Sequence, residues 1–214
     1  MNKKYLNEIS LSVKDIARTL YDFSTTGGIV IPHVLTENAR NDLMEVIDSL
    51  RNYFVDAPKR EGNVIQNLQH LYIENNQLMI NNASQKILDT LVEEYTPFYE
   101  ALAEVAQFTN PAFNSLGFHK YPTGMQGITP HRDYKSDRDL ISIFIIKGKA
   151  PFYLHVDKQG NGAVELDSSP GNLILMRAAR NPGEQKFRPT HSVGIIEEER
   201  YSFIIRHREI DDRA

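Results

Sequence analysis

The sequence predicts an α+β fold in which helices pack against the outside of a β-barrel or sandwich core, and three observations support this. In residues 1–112, apolar side chains recur mainly at helical spacing. In residues 113–208, short β-rich runs alternate with Gly, Pro and Asn turns. No internal repeat or low-complexity tract divides the 214 residues, so we expect a single domain with a mainly helical flank and a β core.

Two helices are expected near the start of the chain, each following a residue that favours the N-cap. Ser12 precedes a segment with one apolar face, which should end near Gly27-Gly28. Thr36 precedes a second segment of the same kind. The short apolar run 29–31 between them predicts a strand.

The next part of the chain predicts a third helix and then the strands of the core. The helix should begin near Ser84, and Pro97 should kink or divide it. The polar, mixed segment 55–82 predicts no defined element. Seven runs have the composition of strands: Ser115 to Tyr121, Leu140 to Ile146, Pro151 to Val156, Ala163 to Leu166, Leu173 to Met176, His191 to Ile196 and Tyr201 to Arg206.

Composition excludes several classes of chemistry. The chain has no cysteine, which rules out disulfides, thiolate zinc sites and cysteine nucleophiles. A formal net charge of -4 argues against a broad nucleic-acid surface, which needs clustered Lys and Arg. No apolar stretch approaches membrane-spanning length, and the N-terminus is polar, so a cytoplasmic protein is expected.

A divalent metal site is predicted at His131, Asp133 and His191. If His131 and Asp133 lie on a strand, their i, i+2 spacing turns both towards one face, and His191 must come from another strand. Two histidines and one carboxylate are typical of non-haem Fe(II) oxygenases. Zinc is the competing metal, since zinc hydrolases use a similar set.

A second triplet, His155-Val156-Asp157, has the same spacing as the first. It lies where a strand runs into the turn Lys158 to Gly162, which favours an ordinary strand histidine and a turn aspartate. Spacing alone therefore does not identify a metal ligand.

An anion clamp is predicted on the last strand. Arg200, Ser202, Ile204 and Arg206 alternate with apolar residues, so they should share one face. A buried guanidinium with a hydroxyl two residues later suits a carboxylate. The alternative is a surface Arg200 paired with glutamates 197–199.

These residues together resemble the iron(II)/2-oxoglutarate-dependent dioxygenase superfamily, over about Leu116 to Arg208. The resemblance implies a double-stranded β-helix (jelly-roll) core that holds Fe(II). It also implies that 2-oxoglutarate chelates the metal while Arg200 and Ser202 hold its distal carboxylate, with Tyr121 in reach of a hydrogen bond. Dioxygen would then oxidise a substrate, with release of succinate and carbon dioxide.

Within that superfamily, the resemblance favours a branch that oxidises small molecules such as amino acids or natural-product intermediates. The alternative is an AlkB-like nucleic-acid dealkylase or a protein hydroxylase. AlkB-like enzymes have a second arginine where Arg206 lies, which would help to hold the cosubstrate, but have Asn where this chain has His119 and Ser202. A noncatalytic sensor that binds metal and 2-oxoglutarate is a further alternative.

One substrate contact is also predicted. Arg177 follows the strand Leu173 to Met176 and is expected to point towards the substrate, with Arg180 or Arg188 assisting; the alternative is solvated loop charges.

Overall fold

The computed structural model describes residues 4–22, 26–58, 64–74, 80–108, 112–179 and 188–209. These residues form helices and antiparallel strands, as the predicted α+β class requires. The helices are α1 (Val13–Tyr21), α2 (Glu37–Ser49) and α3 (Asn82–Ala106), with a 3-10 turn at Arg51–Tyr53. The strands are β1 (Gly28–Ile31), β2 (Val55–Asp56), β3 (Gln69–Glu74), β4 (Ser115–Tyr121), β5 (Gln126–His131), β6 (Asp137–Lys149), β7 (Phe152–His155), β8 (Val164–Leu166), β9 (Leu173–Arg177), β10 (Thr190–Ile195) and β11 (Glu198–Arg208).

The strands form two sheets. The larger has the order β1-β9-β6-β11-β4-β3-β2, and the smaller has the order β5-β10-β7-β8. One apolar cluster contains Ile143 and Ile204 of the larger sheet together with Phe152 and Val193 of the smaller sheet. The two sheets therefore face each other, as the layers of a jelly roll do.

The helices cover the outer face of the larger sheet. Leu20 of α1, Leu43 of α2 and Tyr95 of α3 belong to the same buried cluster as Phe144 and Phe203 of the sheet. Each of these side chains is completely or almost completely buried. Burial of this apolar area holds the helical layer in place and leaves the space between the sheets for the site.

The predicted N-caps are present. Ser12 accepts a hydrogen bond from the backbone N–H of Asp15, and Thr36 accepts one from that of Ala39. The end of the first helix was predicted too late, because α1 stops at Tyr21 rather than near Gly27-Gly28.

The third helix is one continuous element. Pro97 lies inside α3 without dividing it. Proline removes one backbone hydrogen bond and normally disrupts a helix. Here Tyr95 and Tyr99 on either side of Pro97 are buried in the core, and this packing keeps the helix intact across the missing bond.

The N-terminal half contributes more than helices. β1 pairs with β9, and β3 pairs with both β2 and β4, so strands from residues 1–112 extend the larger sheet at both edges. β3 lies in the segment 55–82, where no element was predicted. Within the described ranges, no helix has the length and hydropathy to cross a bilayer.

Candidate metal and anion site

Two neighbouring strands of the smaller sheet bring the two predicted histidine ligands together. His131 is the last residue of β5, and His191 lies directly opposite it on β10. Their ring centroids are 4.2 Å apart. The two residues are 60 positions apart in sequence, and antiparallel pairing brings both imidazoles into the space between the sheets.

Asp133 completes the group from a loop, not from the strand that the i, i+2 argument assumed. β5 ends at His131, and residues 132–134 follow in an irregular segment. The backbone oxygen of Asp133 accepts a hydrogen bond from Arg188, and Arg132 Nε donates to Thr190 Oγ1 over 3.3 Å. Both contacts anchor the loop to residues at the start of β10.

The three predicted ligands can meet at one ion. The candidate donor atoms of His131, Asp133 and His191 all lie within 4.8 Å of one another. Asp133 Oδ2 is 3.5 Å from His191 Nε2, and Asp133 Oδ1 is 3.9 Å from His131 Nε2. Each of the three residues lines one cavity between the sheets.

The hydrogen bonding of His131 suits metal coordination. Its Nδ1 lies 2.9 Å from the backbone oxygen of Thr129. A carbonyl oxygen can only accept, so Nδ1 carries the proton and Nε2 presents its lone pair towards Asp133. Orientation of a ligating histidine through its other nitrogen is the usual arrangement in metal sites. The ring of His191 is stacked on Phe152, with an interplanar angle of 12°.

The last strand divides its side chains as its alternation predicts. Arg200, Ser202, Ile204 and Arg206 all line the cavity. The intervening residues Tyr201, Phe203 and Ile205 join the cluster beneath the helices.

Arg200 is a buried cation at one end of this cavity. It is 1% exposed, and within the described ranges its Nε and Nη2 have no hydrogen-bond partner. Its guanidinium lies 5.3 Å from the ring centroid of Tyr121, the residue opposite it on β4. Burial lowers the pKa of Arg200, and interaction with Tyr121 offsets this in part.

The alternative surface position of Arg200 is not observed. Glu199 lies near Lys120 and accepts a hydrogen bond from Tyr201, while Glu197 pairs with Lys149. The described residues contain no ion pair between Arg200 and these glutamates.

Arg206 lines the same cavity and is tied to a buried carboxylate. Its Nη1 lies 3.3 Å from Asp137 Oδ2, and Arg208 Nε lies 3.0 Å from Asp137 Oδ1. The guanidinium of Arg206 is 5.0 Å from the ring centroid of Tyr72. Burial lowers the pKa of Arg206, but attraction to Asp137 and Tyr72 outweighs it and leaves the pKa raised.

Sequence reasoning missed the cavity residues of β3. His70 and Tyr72 line the cavity, and the Tyr72 hydroxyl lies 3.0 Å from His119 Nε2. Burial, then Arg206 and His70, hold the pKa of His119 well below its usual 6.5. The alternation of His70 and Tyr72 with Leu71 and Ile73 was the signal that could have identified this strand.

The second triplet is structural. His155 Nε2 lies 2.8 Å from Ser192 Oγ, and its Nδ1 lies 3.2 Å from the backbone oxygen of Gly160. Asp157 accepts backbone hydrogen bonds from Gln159 and Asn161 within the turn. These contacts match the ordinary strand histidine and turn aspartate that the sequence favoured.

Arg177 occupies a different place from the predicted one. Its Nη1 donates to the backbone oxygens of Leu20 and Asp22, both over 3.1 Å, at the end of α1. Arg177 is not among the described residues that line the cavity. A cation is favoured at a helix C-terminus, and this explains the position. Arg180, predicted as a possible assistant, lies outside the described residues.

Solved structures share this architecture. A prolyl-4-hydroxylase from Pseudomonas putida superposes with a TM-score of 0.65 at 16% identity, covering 91% of this chain and 99% of that one. A 2OG-Fe(II) oxygenase family protein from Burkholderia pseudomallei gives 0.61 at 15% identity and covers both chains fully. The dioxygenase for auxin oxidation 1 from Arabidopsis thaliana, in its 2-oxoglutarate complex, gives 0.64 at 14% identity, covering 95% and 91%.

The sequence itself gives no such match: no protein-family model and no curated protein matches it. Because the structural identities are low, the likeness establishes the fold. The predicted double-stranded β-helix core with helices packed against it is thereby confirmed.

Proposed function

We propose that this protein is an Fe(II)- and 2-oxoglutarate-dependent oxygenase that oxidises a small molecule. One observation carries the proposal: three metal-ligand side chains and a buried, under-bonded guanidinium line the same cavity. A metal site alone fits many functions, and a buried arginine alone fits an ion pair. Their combination in this fold favours a metal and a dicarboxylate bound side by side.

Fe(II) fits the donor set of His131, Asp133 and His191. Two neutral imidazoles and a carboxylate leave coordination positions open for other ligands. Zinc accepts the same residues, but a zinc hydrolase would leave the buried Arg200 without a purpose. We therefore assign the ligand role to these three residues and prefer iron.

2-Oxoglutarate fits the other end of the cavity. The distal carboxylate would supply acceptors for Nε and Nη2 of Arg200, which have none among the described residues. Ser202 on the same face of β11 and Tyr121 on β4 add hydroxyl donors. Arg is suited to a planar, two-point contact of this kind.

The bound metal and cosubstrate would supply the oxidising chemistry: dioxygen is consumed, 2-oxoglutarate becomes succinate and carbon dioxide, and one oxygen atom enters the substrate. The chain orients the dianion through Arg200 and excludes water. Ile141, Ile143 and Val193 give the cavity apolar walls for this second task.

The small-molecule assignment is separate from the cofactor assignment. The net charge of -4 disfavours nucleic acid, and His119 and Ser202 depart from the AlkB-like pattern. A protein hydroxylase on the same core is the nearer alternative. Substrate-linked succinate formation on free amino acids and metabolites, methylated oligonucleotides and prolyl peptides separates these classes. A preference for either polymer would overturn the small-molecule assignment.

A cytoplasmic location stays a prediction.

Oxygen consumption tests whether the site is catalytic. Purified protein with Fe(II), 2-oxoglutarate and ascorbate should consume dioxygen and form succinate slowly even without substrate. Binding of Fe(II) and 2-oxoglutarate with no oxygen consumption, whether substrate candidates are present or absent, would favour the noncatalytic sensor instead.

A further inference from the structure

Asp133 is the candidate metal ligand that lies outside the strands. His131 and His191 lie opposite each other on paired strands, whereas Asp133 follows the end of β5. The side chain of Asp133 is 14% exposed, against 5% for His131 and 6% for His191. The contacts that hold its loop therefore determine where its carboxylate lies relative to the two imidazoles.

One of these contacts comes from Arg188. The guanidinium of Arg188 donates a hydrogen bond through Nη1 to the backbone oxygen of Asp133. Arg188 lies three residues before His191 in the sequence. The same side chain thus joins the loop that carries one ligand to the chain that enters the strand carrying another.

A second contact joins the same two segments in the opposite direction. Arg132 Nε donates to Thr190 Oγ1 over 3.3 Å. Thr190 is 2% exposed. Arg132 and Thr190 come directly before the ligands Asp133 and His191 in the chain. The loop is therefore tied to the start of β10 at two points, one of them at the ligand residue itself.

The residue after Arg188 accounts for the use of a side chain in this contact. The pairing of His131 with His191, extended by two residues, would place Pro189 opposite Asp133. Proline has no backbone N–H, so the strand pair has no main-chain donor to offer from this position. The guanidinium of Arg188 supplies a donor to the Asp133 oxygen instead.

The burial of Arg188 costs free energy. The residue is 8% exposed, and its Nε has no hydrogen-bond partner within the described ranges. Burial, and then the charge of Arg132, lower the pKa of Arg188. A buried cation with an unmet donor destabilises a fold by itself. Local arrangements of this kind are typical of functional sites, where a fixed geometry matters more than stability.

We propose that Arg188 is a positioning residue for the metal: its hydrogen bond holds Asp133 where its carboxylate can share one ion with His131 and His191. Arg188 contributes no ligand itself and acts through Asp133. This inference rests on the proposed function, because it takes the three side chains to be metal ligands. It also moves Arg188 from the substrate, where the sequence placed it as an assistant, to the metal site.

Anaerobic equilibrium dialysis with Fe(II) tests the proposal. Arg188→Met keeps a long side chain and removes the donor. We expect it to lower Fe(II) affinity by about 10- to 100-fold, the range found when groups that orient metal ligands are removed. Arg188→Lys retains a donor and should recover part of the affinity. Unchanged Fe(II) affinity in Arg188→Met would overturn the proposal.

Arg177→Met is the matched control. Arg177 is also a buried arginine that donates to backbone oxygens, but it does so at the end of α1. Its replacement should lower stability and change Fe(II) affinity by less than about twofold, since distant sites act independently. Equal losses of affinity in the two variants would indicate a general loosening of the fold and would also overturn the proposal.

The visible spectrum of the Co(II)-loaded protein gives a readout that is independent of activity. At saturating Co(II), displacement of the Asp133 carboxylate changes the coordination of the ion and therefore its absorption bands. Arg188→Met should change these bands, and Arg177→Met should keep those of the unmodified protein. If Arg188→Met does not fold, Arg188→Gln replaces it, because its side chain is shorter and uncharged, and the same changes are expected.

The outcomes distinguish this inference from the proposed function. If the unmodified protein binds neither Fe(II) nor Co(II), the proposed function fails and the inference fails with it. If the unmodified protein binds both ions and the Arg188 variants match it in affinity and in spectrum, only the inference is wrong.

Discussion

Two His-x-Asp triplets in this chain have the same spacing but different structural roles. His131 and Asp133 meet His191 in a group of possible metal ligands whose two histidines are buried. His155 hydrogen-bonds to a serine and a turn carbonyl, and Asp157 caps that turn. Both histidines end strands of the smaller sheet, on the two sides of β10.

The difference between the triplets arises from the alternation of side chains along β10. On β10, His191 lies opposite His131 and faces the cavity, whereas Ser192 alternates to the other face and meets His155. Successive side chains of a strand point to opposite faces. A shift of β10 by one residue would therefore turn His191 away from the first triplet. A ligand set is thus defined by the register of a distant strand.

The largest expected effect comes from the carboxylate of the first triplet. Asp133→Ala should lower Fe(II) affinity by more than about 100-fold, since loss of mere supporting contacts already costs 10–100-fold. Anaerobic equilibrium dialysis measures this. The matched control is Asp157→Ala, which should leave Fe(II) affinity unchanged and lower stability only slightly, through lost turn hydrogen bonds at the surface. Equal metal affinity in the two variants would contradict the assignment.

The next effect concerns the anion end of the same cavity. Arg200→Gln should weaken 2-oxoglutarate binding by about 100-fold, because two charge-assisted hydrogen bonds are lost. The 2-oxoglutarate affinity of Arg200→Lys should lie between those of the unmodified protein and Arg200→Gln, since lysine keeps the charge without the planar fork. Calorimetric titration of the Mn(II)-loaded protein gives both affinities. Unchanged affinity in Arg200→Gln would remove this residue from the cosubstrate site.

A pH effect of moderate size is expected from His119. Its folded pKa is lowered from 6.5, so the unfolded chain takes up the proton first as the pH falls. Folding stability should therefore decrease as the pH falls below about 6.5. His119→Gln should remove this part of the decrease. Denaturant unfolding at pH 7.5 and 5.5 measures it, and an identical pH response in the variant would be inconsistent with this cause.

The smallest effect is expected in the second triplet. His155→Phe should cost about 1 kcal/mol of stability, because the hydrogen bond to Ser192 is lost. Fe(II) affinity and succinate formation should stay unchanged. Thermal unfolding and metal dialysis on one preparation check both statements, and a loss of metal binding would show that β10 couples the two triplets.

Much of the fold could be predicted from local patterns. The caps at Ser12 and Thr36 and the strand Ser115–Tyr121 depend on neighbouring residues, and the sequence shows them directly. Other features depend on tertiary contacts. The strand predicted at Leu140 to Ile146 was expected to end there, but β6 continues through Gly148, which has a positive φ of 86° and lies close against the backbone of Glu199.

The candidate site was predictable where residue type carries the chemistry. The three ligand residues and the face of Arg200 and Ser202 could be named from spacing and alternation. The loop position of Asp133 could not be predicted from spacing. β5 ends at His131, and nothing in the His-x-Asp motif itself indicates that end. Arg177 was misplaced because a helix terminus distant in sequence satisfies it.

Titration of 2-oxoglutarate with and without Mn(II) is the most direct test that the metal ligands and Arg200 serve one site. We expect one 2-oxoglutarate per chain, with an affinity that falls steeply when the metal is removed. Binding that is equally tight without the metal would contradict it, as would no binding with the metal present.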